Sequence, residues 1–398
     1  MLQTAPANST DLETPYVKSA SVQWSGVVTD TETTMWASPR ELKRFAVSNG
    51  DLLICEGGDV GRAAIYAGPD GFIFQNSVHR VRSASGNDLR YFRYVLEAVH
   101  GTEWFDVLCN KATIRHLTSE KLADLPIPLP EPTEQRRIAD FLDAETSTVD
   151  RLLASRRRQL ILLGERLSAR VMEVTGRLTV RGVAASQEWQ RLPLRRVVAS
   201  IKTGSTPSGG ADGTWATPDD PGALPWYTPS EMDEWMNLAP PERFVDSGGG
   251  GERGTTRFES GAVLVVCVGE SIGKTVFLDH AASGNQQLTA VKPSDRVDGK
   301  FLAWQLWGAS QEIRDSSPYT RVRIINGGDL LAFPVAAPPR LVQVAVRKEL
   351  DIEAGKLTTL RDSIARFTAG LAERRHALIT AAVTGQIDVT TARGVEVP

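Results

Sequence analysis

The chain has 398 residues, room for two or three domains, and its 41% apolar and 23% charged residues describe a folded protein with a sizeable core, which excludes disorder. A formal net charge of −3 argues against a free-standing nucleic-acid binder, so a DNA ligand would have to be held through local patches and with a partner's help. The start, MLQTAPANSTDLETPY, has no basic or apolar leader segment, and the longest apolar run, AVLVVCV (262–268), is too short to span a bilayer; a cytoplasmic chain with no membrane contact is expected.

In chain order, a first block opens at TPYVKSASV (14–22) and continues into GDLLICEGGDVGRAAIY (50–66), which reads as strand, turn, strand. FQNSV (74–78) and TIRHL (113–117) follow, then a proline-bounded apolar strand, LADLPIPLP (122–130). After Pro130 and Pro132, Thr133 is the expected N-cap of a short helix, Thr133 to Leu142, and Thr146 restarts the count. From Val149 the apolar positions fall at Leu153, Leu160, Leu163, Leu167 and Val174, alternating threes and fours, with Arg156 and Arg170 filling two slots of the seam. Thr175-Gly176 ends the helix, because glycine takes the left-handed C′ conformation at little cost.

Residues Arg177 to Glu188 read as a linker before a second block. That block repeats the first: GAVLVVCVGESIGKTVF (261–277) lies against 50–66 with Cys55 over Cys267, NQQLT (285–289) against 74–78, RVRII (321–325) against 113–117, and LLAFPVAAPP (330–339) against 122–130. A second helix then carries Leu357, Leu360, Ile364, Phe367, Leu371, Leu378 and Ala381, with Arg374 in its own slot. The offset between Gln135 and Gln343 is shared by Leu142 and Leu350, Asp143 and Asp351, and Glu165-Arg166 and Glu373-Arg374. Two narrow stripes in one chain predict a pair of long helices, each about 45 Å over some thirty residues. The expected fold is α+β, two β-rich blocks and two helical arms, with boundaries at 1–132, 133–180, 189–339 and 340–390. The second block opens with EWQRLPLRRVVASIKTGSTPSGG (188–210), for which the first has no equivalent. Either the chain is shortened at its start or the first block completes its sheet differently.

GESIGKT (269–275) follows an apolar strand as a phosphate-binding loop would, but that loop needs a glycine where Val268 stands, and TVFLDH after it reads as a strand. A Gly-rich hairpin that brings Arg62 and Lys274 to the surface is expected instead. GGGGERG (248–254) reads as a flexible loop. Cys55, Cys109 and Cys267 offer neither a disulfide framework nor a CxxC spacing and read as buried thiols. With no acidic cluster of nuclease spacing, no aromatic floor for a flipped base and five scattered histidines, no catalytic or metal site is expected. His116 beside Arg115 reads as a surface histidine or a phosphate contact. Polar side chains recur where loops project: Lys202, Thr203, Ser230, Glu231, Lys274, Gln286, Gln287, Arg321 and Arg323 in the second block, and Lys18, Gln23, Arg62, Gln75, Asn76, Lys111 and Arg115 in the first. Gln and Arg read base edges bidentately, and Lys202 and Lys274 suit phosphate. Each alone reads first as a solvated loop residue; their recurrence in two repeated blocks raises DNA contact as the reading.

The doubled pattern of a β-rich block, then LPIPLPEPTEQRRIADFLD, then a long helix ending in VTG, resembles the specificity subunit of Type I restriction-modification systems. The likeness covers nearly the whole chain and is most specific at Pro126 to Asp143 with Thr146 and Asp150, and at ERR to AVTG (373–385); Val342 stands where the first arm has Glu134. It implies two target recognition domains, related by a pseudo-twofold axis, reading the halves of a split double-stranded DNA site across an antiparallel helix pair. It also implies docking of two modification (methyltransferase) subunits, with restriction subunits joining. S-adenosylmethionine, ATP and Mg would then belong to those partners and no cofactor to this chain. Two rival readings are a coiled-coil scaffold whose β blocks bind proteins, and a one-chain DNA-modifying enzyme, for which no cofactor motif is found.

Overall fold

The computed structural model describes residues 3–102, 104–109, 116–176, 189–207, 215–246, 255–317 and 322–390. The 177–188 linker and the 248–254 loop lie outside them. The chain divides into two compact units, Met1–Arg156 with Ala365–Pro398, and Arg157–Ile364.

In unit 1 the strand Leu12–Val17 pairs antiparallel with Thr34–Ala37 and parallel with Ile73–Phe74. A second sheet places Leu52–Cys55 between Ala63–Ile65 and Val78–Val81. Unit 2 repeats both: Ala223–Tyr227 pairs antiparallel with Arg243–Asp246 and parallel with Ser283–Gly284, and Val263–Val266 lies between Thr275–Phe277 and Leu288–Pro293. LLIC and VLVV are buried throughout because each strand is covered on both faces, so no polar alternation is needed. Val263 and Val265 pack on the helix Gly299–Gly308, while Leu264 and Val266 turn to a second core around Tyr227 and Phe258.

Unit 2 has further strands, among them Val198–Thr203 on the edge of Leu288–Pro293, for which unit 1 has no counterpart among the described residues. The same difference leaves the end of the first block without a strand. Pro334–Ala336 forms a strand by pairing with Arg191–Pro193, whereas the stretch 122–130, read as a strand from its apolar pattern, ends the helix Ser119–Ala123 and forms no strand: among the described residues unit 1 has no equivalent of Arg191–Pro193 to supply its ladder.

The repeat also needs a shifted register. Cys55 N–H donates to Arg62 O and Cys55 pairs with Val78; in unit 2 these bonds belong to Val266, which donates to Lys274 O and pairs with Leu288. Cys55 is therefore equivalent to Val266 and not to Cys267. Faces alternate along a strand, and Cys55 and Val266 point into corresponding cores while Cys267 points into the opposite one. All three thiols are buried; burial pushes the Cys55 thiol up and that of Cys267 up to about 11. Iodoacetamide at pH 8 is accordingly expected to label none of them in the native protein and all three after denaturation, as mass spectrometry would show. Rapid native labelling of Cys267 would contradict the burial.

Each arm is one helix, Pro132–Val174 of 43 residues and Arg340–Val383 of 44. The expected break at Thr146 does not occur. Its hydroxyl donates to Leu142 O at 2.7 Å, within the helix, so the threonine needs no cap geometry. Gly176 and Gly385, at φ +70° and +73°, end the arms as left-handed residues. The arms run antiparallel in each unit: Asp150 pairs with Arg375 and Arg156 stacks over Phe367 in unit 1, and Arg166 and Arg170 both face Glu353 in unit 2.

The seam is narrower than the alternating threes and fours predict. Val149, Leu163, Leu167, Leu357, Ile364 and Leu371 are buried and Leu153, Leu160 and Leu378 half-buried, but Leu360 and Phe367 are 41% and 43% exposed. On the second arm only every seventh residue from Leu350 to Leu371 is fully enclosed, because positions three further on turn out of the contact. A guanidinium, that of Arg156, covers the Phe367 ring instead of a leucine.

One glutamine fastens each arm to its β-rich block. Gln135 Oε1 accepts from Asp88 N–H at 3.0 Å while Nε2 donates to Asn87 Oδ1 and Pro130 O. Gln343 Oε1 accepts from Asp298 N–H at 2.7 Å while Nε2 donates to Arg296 O and Pro338 O. Asp88 and Asp298 are themselves the N-caps of the helices Leu89–His100 and Gly299–Gly308. A second fastening is also repeated: Tyr94 Oη donates to Asp143 at 2.7 Å and Trp304 Nε1 to Asp351 at 2.9 Å.

Candidate nucleic-acid interface

In unit 2, three loops meet at one end of the sheets. Gly204 lies so close to the next loop that a Cβ there would stand 2.2 Å from Asn285 O. This approach lets Thr206 Oγ1 reach Gln286 Oε1 at 2.6 Å. Gln287 Nε2 donates to Val268 O at 3.3 Å and its Oε1 accepts from Asn285 Nδ2 at 2.9 Å. Gly269, at φ +94°, turns the hairpin and donates to Arg323 O, drawing the 322–325 segment alongside. Gln286 is exposed at the tip and Gln287 half-buried behind it. Elsewhere the same hairpin carries Lys274, the residue proposed above for phosphate. Its Nζ donates to Met232 O and faces Glu234 at 3.3 Å, in a separate groove lined by Leu160 and Gly164 of the first arm. The hairpin itself is as predicted, strand to strand with no helix to hold phosphate.

Unit 1 builds the same end. Gln75 N–H donates to Val17 O as Asn285 N–H does to Tyr227 O, and Leu117 N–H donates to Glu56 O as Ile325 N–H does to Cys267 O. Asn76 is thus the counterpart of Gln286, one place from the alignment read in the sequence. Gln75, Asn76, Ser77, Glu56, Gly57 and His116 line one groove, with His116 Nδ1 3.9 Å from Glu56. Ser19 Oγ donates to Ser77 O at 2.7 Å, which brings the turn carrying exposed Lys18 to this end; Gln23 turns back onto Ala20 O.

Other candidates are committed elsewhere. Arg62 is not a surface cation: its side chain is 17% exposed, bonded to Ser19 O and paired with Asp59. Lys202 is exposed but faces Glu259 at 3.8 Å, and Thr203 meets Thr289 across the ladder. Glu231 closes a capping box on Thr228, where Ser230 is also bonded. Burial alone would raise the Glu231 carboxyl, but hydrogen bonds from Thr228 outweigh it and hold the group below its ordinary range, so it stays ionised as a cap. Lys111, Arg115 and Arg321 lie outside the described residues. Thr206 and Asn285, which the geometry adds, carry a weak sequence signal: Asn285 stands beside Gln286, and Thr206 lies three residues after Thr203 in the same Gly-containing loop. Among the described residues no group of His, Cys, Asp and Glu could hold a metal ion, and no helix is long and apolar enough to cross a membrane.

The fold and the paired loop clusters define a doubled protein, in which each β-rich block is fastened to its own long helix. Residues 11–160 match the family model of the Type I restriction modification DNA specificity domain. No curated protein sequence matches the chain. A chain solved in work on complex assembly and conformational transition of the type I R-M system shares 16% identity and aligns over 97% of this chain and 95% of its own, with a TM-score of 0.63. The HsdS subunit from Thermoanaerobacter tengcongensis aligns over 95% of this chain and 92% of its own at 17% identity, with a TM-score of 0.40.

Proposed function

We infer that the chain is the DNA sequence-specificity subunit of a Type I restriction-modification complex, each unit reading one half of a split double-stranded site. The observation that carries this is the recurrence of one loop arrangement, tipped by Asn76 in unit 1 and Gln286 in unit 2, on blocks that repeat the same two central sheets. A scaffold that merely bound proteins would need no such paired polar tips. The arms, with Leu341 and Ile352 exposed on the second and Ile161 and Leu162 on the first, offer the surface for two modification subunits and, through them, restriction subunits. Methyl transfer from S-adenosylmethionine and ATP- and Mg-dependent cleavage belong to those partners in this reading, and the chain contributes recognition and no chemistry.

Expressing the chain with its methyltransferase partner and mapping methylated positions in host DNA tests this directly; a bipartite motif is expected, and methylation without one would defeat the reading. In the same assay Gln286→Ala should relax one half-site by about 1–3 kcal/mol of discrimination per base pair and leave the other intact. Asn76→Ala should do the reverse. Equal change in both halves would show that the units do not read independently.

A further inference from the structure

The interface in unit 2 continues onto its sheet, to an arginine that was not singled out in the sequence. Arg243 opens the strand Arg243–Asp246, between Trp215–Ala216 and Ala223–Tyr227. Its guanidinium carbon lies 4.4 Å from the centroid of the Trp226 ring and 5.5 Å from that of Trp215, and the two indoles meet edge to face at 5.2 Å. Trp226 is buried and anchored by its Nε1, which donates to Ser205 O at 3.2 Å; Trp215 is 45% exposed. Ser205 is the residue next to Thr206, which holds Gln286, so the ledge adjoins the reading tip through one residue.

Arg243 differs from its neighbours in what it lacks. Lys202 and Lys292 both face Glu259, and Lys274 faces Glu234. Among the described residues no carboxylate lies within ion-pair distance of Arg243, although its side chain is exposed. A guanidinium stacked on indoles keeps its planar N–H edge free and loses little rotamer freedom when it binds, which suits a tetrahedral anion at the edge of a protein–DNA contact. It stands on a strand and not on a loop tip, and this favours positioning over base reading. Thr33 is the residue opposite Tyr16 in unit 1, where Arg243 stands opposite Trp226, so among the described residues unit 1 has no arginine at this place.

We propose that Arg243, held by Trp215 and Trp226, is a backbone-phosphate contact beside the half-site read by unit 2; this rests on the DNA-recognition reading above. The test uses the full chain assembled with its methyltransferase partner and a duplex carrying the mapped site, with affinity measured over a series of salt concentrations. Arg243→Gln should weaken binding and lower the slope of log affinity against log salt by about one unit, with base preference in randomised half-sites unchanged. Arg243→Lys should restore the slope. Trp215→Ala should weaken binding at constant slope, because the charge remains but is no longer pre-oriented. An unchanged slope in a Gln variant that melts like the parent would overturn the proposal, as would an altered base preference, which would make Arg243 a base reader. Should the parent complex show no site-selective binding at all, the DNA-recognition reading itself fails and takes this inference with it.

Discussion

Leu163→Asp is expected to destabilise the paired arms by about 4 kcal/mol or more, whereas Phe367→Asp should cost about 1 kcal/mol or less. Leu163 is 8% exposed in a cluster with Leu167, Val171, Trp304, Leu350, Leu357 and Ile364, all within unit 2. An aspartate there loses the leucine's transfer energy, leaves a cavity and strands a carboxylate among aliphatic groups. Phe367 is 43% exposed with Arg156 over its face. Aspartate at 367 would stay hydrated and could pair with that arginine, recovering part of the lost packing. The helical spacing alone makes the two substitutions equivalent, so the contrast tests the narrow seam. Denaturant melts of both variants decide it, and equal losses would mean that the second row of the stripe is enclosed after all.

Replacing Gln343 with Leu should lower stability by about 3–5 kcal/mol, a large effect for a change that keeps size and adds apolar character. Gln343 is 1% exposed, and its amide serves Asp298 N–H, Arg296 O and Pro338 O at once. Leucine leaves three backbone groups without that partner at the junction of arm and block, each unmet group costing about 1–3 kcal/mol before relaxation. Gln135→Leu should act alike in unit 1, through Asp88 N–H, Asn87 and Pro130 O. Gln311→Leu is the control: that side chain is exposed and, among the described residues, bonds to Asp315, so a change within about 0.5 kcal/mol is expected. A loss below about 1 kcal/mol for both buried glutamines would show that water or a relaxed backbone replaces the amide.

Much of this architecture was legible before any coordinates, because internal repetition is a property of the chain itself. The shared offset of Gln135 with Gln343 and Asp143 with Asp351 marked positions that later proved to be the fastenings, although nothing in the residue types said that a glutamine would close over a helix N-cap. Apolar spacing likewise determined that two long helices exist, and the glycines at 176 and 385 where they stop, since both depend on local backbone geometry. The tertiary structure decided what depends on which neighbour a side chain meets. Phe367 sits at a seam position by spacing and is half outside it by contact. Cys55 aligned with Cys267 by identity but occupies the place of Val266, because the facing of a strand residue is set by its partners in the ladder. Arg62 and Lys274 looked like free cations on a hairpin and are held by backbone carbonyls, while Arg243 carried no sequence signal and stacks on two indoles with its charge facing outward. Charge and polarity are written in the sequence; whether a group is already spent on the protein or remains for a ligand follows only from the atoms folded around it.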